Sequence, residues 1–125
     1  MKTGILGASL MIAASVSAGV IDDLQNSYRS AGAAAFSKAR GLALWQTQGT
    51  EGRTCATCHG EDLRHAGKHA TTQKPLEPMA PSANATRYAD AAKVEKWFLR
   101  NCKWTWGREC SVQEKGDLLQ YLRSL

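Results

Sequence analysis

Apolar residues recur with helical spacing in three stretches of this chain, and nowhere do they alternate as a half-buried strand requires. In AAAFSKARGLALWQT, residues 33–47, the side chains of Phe36, Ala39, Ala43 and Leu44 fall on one helical face. Gly41 interrupts that helix. An interior glycine costs about 1 kcal/mol against alanine, so its presence points to close packing of another helix there. Asp90 stands where an N-cap would accept from the free N–H groups of a helix over 91–100, with Val94, Trp97 and Phe98 on one face. Ser111 and Glu114 fit the S-x-x-E capping box. They precede DLLQYLRSL, whose Leu118, Leu119 and Leu122 form an apolar stripe. The predicted class is all-α, with three or four helices joined by long loops.

The loops are the unusual part. TQGTEGRT, residues 47–54, has no periodicity, and residues 60–89 hold all three prolines of the chain among small polar residues. Loops this long in so small a domain call for an internal organiser. At the other end, Lys2 and the apolar GILGASLMIAASVSA lead to Val16-Ser17-Ala18, with the small residues a signal peptidase accepts. Residues 1–18 are therefore expected to be a signal peptide and residues 19–125 one domain. The uncharged run from Thr3 to Ile21 also comes near the spanning minimum of roughly 17–20 residues, but glycine, serine and threonine dilute it. No stable membrane insertion is expected after cleavage. A domain of about this size buries roughly 60–70% of its unfolded surface, and a large apolar cofactor would complete its core.

Export permits disulfides. The chain has four cysteines, Cys55, Cys58, Cys102 and Cys110. Its formal charge is +5, from 16 basic and 11 acidic residues. The basic residues are scattered, with no run of five or six, which argues against a nucleic-acid interface. They leave room for a basic face that docks an acidic protein.

Cys55-Ala56-Thr57-Cys58-His59 is C-x-x-C-H, the spacing at which a c-type haem is attached. Two thiols add to the vinyl groups on one side of the porphyrin, and the next histidine then lies under the iron. Other uses of the cysteines are a thioredoxin-like redox pair, which expects βαβ strands, and a four-cysteine zinc site. The C-x7-C spacing of Cys102 and Cys110 suits zinc poorly. Candidates for the sixth iron position are Met79, His65, His69 and Asn101. Methionine with histidine is the electron-carrier pair. His65 and His69 lie among polar residues close to the attachment point. The amide oxygen of Asn101 is neutral and hard, and hard ligands favour ferric iron; asparagine at a helix end is also a common cap.

The run KVEKWFLRNCKWTWGRECSVQEKGDLLQYL, residues 93–122, resembles the sphaeroides haem protein (SHP) family of monohaem cytochromes c. The likeness continues through CATCHGEDLRHAG and PLEPMAPSANATRYAD, and so covers the chain from about residue 33. The resemblance implies a small class I-like cytochrome fold wrapped around one covalent haem, held by Cys55, Cys58 and His59. It implies that Asn101, directly before a cysteine, is a sixth ligand that leaves on reduction. Ferrous haem would then bind small diatomic gases such as O2 and NO. It further implies a Cys102–Cys110 disulfide and a place in periplasmic electron transfer with a dihaem cytochrome c and a membrane cytochrome b; no catalytic activity is assigned, and whether the chain reduces O2 or NO stays open. The family pattern more often has leucine at the position of Met79, so a plain His59–Met79 electron shuttle is the competing expectation. Trp104 and Trp106 are expected in a loop, pointing to opposite sides of extended chain.

Overall fold

A computed structural model describes residues 19–125; the expected signal peptide, residues 1–18, lies outside the described residues. Among the described residues five helices carry the fold: α1 Val20–Ser30, α2 Lys38–Gln46, the single turn α3 Ala56–His59, α4 Ala91–Trp106 and α5 Val112–Leu122. Two-residue strands β1 Gly67–Lys68 and β2 Pro75–Leu76 pair antiparallel inside the long loop. No helix among the described residues is long and apolar enough to cross a membrane.

Both predicted caps form. The Asp90 carboxylate accepts from the Ala92 and Lys93 N–H groups, and Ser111 and Glu114 close a reciprocal capping box. Helix α2 starts at Lys38, behind the Ser37 cap, instead of near residue 33. Residues 34–37 stay extended because α5 satisfies their backbone: Gln113 Oε1 accepts from Ala34 N–H and Asp117 Oδ1 from Ser37 N–H, both at 2.8 Å. The buried positions of α2 are consequently Gly41 and Trp45, while Ala39 and Ala43 face solvent. A Cβ on Gly41 would lie 2.0 Å from the Asp117 carbonyl oxygen, so α2 and α5 cross at backbone contact. The close packing expected at this glycine is present.

Helix α1 has no counterpart among the expected elements. Leu24, Gln25 and Tyr28 are its buried face. Gln25 Nε2 donates to Gly116 O at 3.2 Å, Arg123 pairs with Asp22 at 2.7 Å, and the Tyr28 hydroxyl donates to Glu95. These contacts lay α1 across α5 and the start of α4. Leu24, Tyr28, Val94 and Leu119 form one core cluster; Trp45, Leu63, Cys102, Cys110, Leu118 and Leu122 form the other.

The largest departure is at residues 101–110. Helix α4 continues through Asn101, Trp104 and Trp106 and ends at Gly107, whose φ of 71° makes the left-handed C-cap. Only Arg108–Cys110 connect it to the Ser111 cap.

Candidate functional site

Helices α2, α3, α4 and α5 border an open cleft lined mostly by apolar and aromatic side chains, the character of a site for a large organic ligand. Trp45, Leu118, Leu119 and Leu122 form its base, and Val94, Phe98 and Trp97 its α4 wall. Cys55, Cys58 and His59 all line it from α3.

Local chain chemistry sets α3. Thr57 N–H donates to Thr54 O at 3.1 Å, while Thr54 N–H donates to Thr57 Oγ1 at 2.9 Å, closing the turn. Gly60, with φ 75°, ends it directly after the histidine. Gly67 lets the loop cross the back of α3, since a Cβ there would sit 2.1 Å from Cys58 O. Cys55 and Cys58 are both free thiols. Burial pushes the Cys55 thiol up to about 12, opposite to the depressed value of a thioredoxin-type nucleophile. A four-cysteine zinc site is also ruled out, because Cys102 and Cys110 are joined in a disulfide with Cα atoms 5.7 Å apart.

His59 has a buried Nδ1 with no hydrogen-bond partner. Burial, reinforced by the charge of Arg87, pushes this imidazole down to about 4. It is therefore neutral at physiological pH, the form that ligates metal. A neutral imidazole, two free thiols on the same turn and an apolar cleft together fit a covalent haem.

Of the four candidates for the sixth position, Met79 and Asn101 line the cleft. The histidines do not reach it. His65 is exposed, its Nδ1 3.0 Å from Asp62 Oδ2, and His69 Nδ1 accepts from the Thr71 and Thr72 N–H groups. Met79 belongs to the loop that follows α3: its N–H donates to Leu63 O at 3.0 Å and its carbonyl accepts from the Tyr88 hydroxyl at 2.7 Å. Burial drives Tyr88 up to about 12, so it stays a neutral donor.

Asn101 sits in the interior of α4 and does not cap it, which corrects the capping alternative. Asparagine is a poor interior helix residue, and this one shares a face with Trp97 and Trp104, at i−4 and i+3. All three line the cleft. The chain just beyond Asn101 is clamped. Cys102 is tied to Cys110, Thr50 Oγ1 donates to Thr105 O at 3.2 Å, and Trp106 Nε1 donates to Thr47 O at 3.1 Å. The Arg53 guanidinium covers Trp104 at 4.3 Å. Gly49 is needed for this contact, as a Cβ there would lie 1.9 Å from Thr105 O. Trp104 and Trp106 are thus helical, not extended, and both border the cleft.

Sequence reasoning missed Trp45, Arg87 and Tyr88 as cleft residues. Trp45 was discoverable, because it lies four residues after Gly41 on the same face. Nothing local marks Arg87 or Tyr88, which come from the 3-10 turn Ala85–Tyr88.

Helices wrapped on an apolar cleft with a C-x-x-C-H turn in its wall define a monohaem c-type cytochrome, carrying one covalent haem c. Residues 31–122 match DUF1924, a domain family of unknown function. The cytochrome c-type protein SHP of Cereibacter sphaeroides is 43% identical over 99 residues, 76% of either chain. The chain belongs to the SHP family. Its fold matches the structure of oxidised SHP, an oxygen-binding cytochrome c, with TM-score 0.78 and 40% identity over 84% of this chain and 96% of that one. Cytochrome c″ of Methylophilus methylotrophus is 38% identical over 68 residues, 54% of this chain and 47% of that protein. The crystal structure of its oxidised form matches with TM-score 0.69 and 29% identity, over 84% and 90% of the two chains.

Proposed function

We propose that this chain is an exported, periplasmic electron-transfer cytochrome whose ferrous state binds O2 or NO. Cys55 and Cys58 hold the haem through thioethers and His59 ligates its iron from one face. The Asn101 amide oxygen ligates ferric iron from the other and leaves on reduction. Haem c supplies a one-electron iron couple and, once ferrous, a site for a diatomic gas.

The observation that carries this reading is the placement of Asn101, an amide in the interior of α4 that lines the cleft from an element other than the one bearing His59. Met79 also lines the cleft, from the loop after α3, where its backbone N–H donates to Leu63 O. A neutral, hard oxygen donor is weak and prefers the ferric ion, so reduction favours its release. The clamp on Trp104–Trp106 holds the backbone while the side chain swings. SHP is an oxygen-binding cytochrome c, and a solution structure of cytochrome c″ addresses haem-ligand detachment; both support the same behaviour here. A dihaem cytochrome c and a membrane cytochrome b are the proposed electron partners.

Absorption spectra of ferric and ferrous protein, with and without CO, test the proposal. The expected result is a high-spin ferrous form that binds CO rapidly. A low-spin ferrous spectrum indifferent to CO would establish the His59–Met79 shuttle instead. Asn101→Ala is expected to turn the ferric iron high-spin, whereas Met79→Leu leaves both spectra near those of the parent.

A further inference from the structure

Arg87 raises a separate question. It is half-buried on the 3-10 turn Ala85–Tyr88 and lines the haem cleft. His59 apart, it is the one basic residue lining that cleft among the described residues, and no Asp or Glu lines it. None of the ion pairs among the described residues includes Arg87. A cation partly withdrawn from water and left unpaired is unfavourable. The acidic side chains nearest to it in sequence are already engaged: Asp90 caps α4, and Glu77 accepts from Asn84.

Haem c brings its own anions. Its vinyl edge is consumed by the two thioethers, and the porphyrin still carries two propionate carboxylates. A planar guanidinium matches a carboxylate with two parallel hydrogen bonds. We infer that Arg87 is the cationic partner of a haem propionate and that this pairing holds up the reduction potential of the iron. With Arg87 in place the propionate charge is offset. Without it, the iron faces an uncompensated anion, and the more positive ferric state gains. The inference rests on the haem c and not on which side chain takes the sixth position.

The test uses haem-loaded full-length protein and three variants: Arg87→Gln, Arg87→Lys, and Lys96→Gln as a control on the exposed outer face of α4. Midpoint potentials come from spectroelectrochemical titration. For Arg87→Gln, the ferric-to-ferrous ratio at fixed applied potential is expected to rise about tenfold, a fall of about 59 mV for a one-electron couple. Arg87→Lys is expected to recover at least half of that shift. Lys96→Gln, screened by solvent, should change the ratio by less than about twofold. An Arg87→Gln shift no larger than that of the control overturns the inference, as does a lysine variant indistinguishable from glutamine. Resonance Raman bending modes of the propionates give a second readout where Arg87→Gln accumulates poorly. In Arg87→Lys they move if the pair exists, and unmoved bands overturn it.

Discussion

Between Asp90 and Leu125 the protein secures itself. Helix α4 has a side-chain cap at one end and a left-handed glycine at the other; α5 has a capping box reinforced by a two-pronged Arg108–Glu114 pair, both contacts at 2.8 Å. A disulfide ties α4 to the connector just ahead of α5, and Leu118, Leu119 and Leu122 are each 3% exposed or less. Between Gly60 and Ala89 the same cleft is closed by very different means. Only Leu63 and Ala80 are buried apolar residues there, and the order comes from a two-residue ladder and a few turn bonds. Gln73 even adopts a left-handed φ of 60°. The Asn101 wall is a hairpin packed on the protein's own core, whereas the loop carrying Met79 and Arg87 gives that core only Leu63, with Met79 and Tyr88 at its margin.

That contrast can be broken most drastically by preventing haem attachment. In Cys55→Ala/Cys58→Ala, amides of residues 60–89 should lose more than about a hundredfold in hydrogen-exchange protection, while those of α5 keep most of theirs. Uniform loss through both regions would mean that the hairpin also depends on haem. Next in size is Cys102→Ser/Cys110→Ser. The bridge closes nine residues, 102–110, and chain entropy puts its removal at roughly 2.6 kcal/mol, read from denaturant unfolding of the loaded protein. Gly41→Ala forces a methyl group against Asp117 O and should cost about 1–3 kcal/mol by overpacking α2 on α5; an unchanged midpoint would mean the helices part without strain. Ser111→Ala removes the α5 cap and should cost about 1 kcal/mol. The smallest effect is a pH dependence. The Arg108 hydrogen bond holds the Glu114 carboxyl below its usual value. Its contribution is complete above the unfolded carboxylate range and is lost as pH falls through the lower folded value. Arg108→Gln should therefore flatten part of the acid limb of the stability curve, and an unaltered limb would show that the pair contributes nothing measurable.

How much of this was legible follows the range of each interaction. The caps at Asp90 and Ser111 and the C-x-x-C-H turn depend on residues within four positions, so the pattern alone locates them. The length of α4 does not follow from local preference. Asn101, Trp104 and Thr105 are weak helix formers, and two bracketing cysteines suggested a loop; the clamp from Thr47, Thr50 and Arg53 keeps the last turns helical. Helix α1 was hidden because Val20 and Ile21 read as a continuation of the apolar leader. The Cys102–Cys110 pairing came from family resemblance, as four cysteines allow three connectivities. Arg87 could not be found from sequence, since its importance lies in what it lacks: a carboxylate partner in folded space.

The disulfide has one more consequence, for the order in which the molecule is assembled. The proposed thioethers require Cys55 and Cys58 as thiols, and both are free, while Cys102 and Cys110 are oxidised. Cys102 lines the same cleft as the two haem cysteines, so a wrong pairing is within reach of a partly folded chain. Four cysteines allow six single bridges, and only Cys102–Cys110 leaves both Cys55 and Cys58 free. Separating the pairs by 44 residues while placing Cys110 directly ahead of the α5 cap makes the correct bridge a local event, one that can be completed before the long loop closes over the haem. The one bridge that spares the attachment turn is thus also the one that local chain geometry favours.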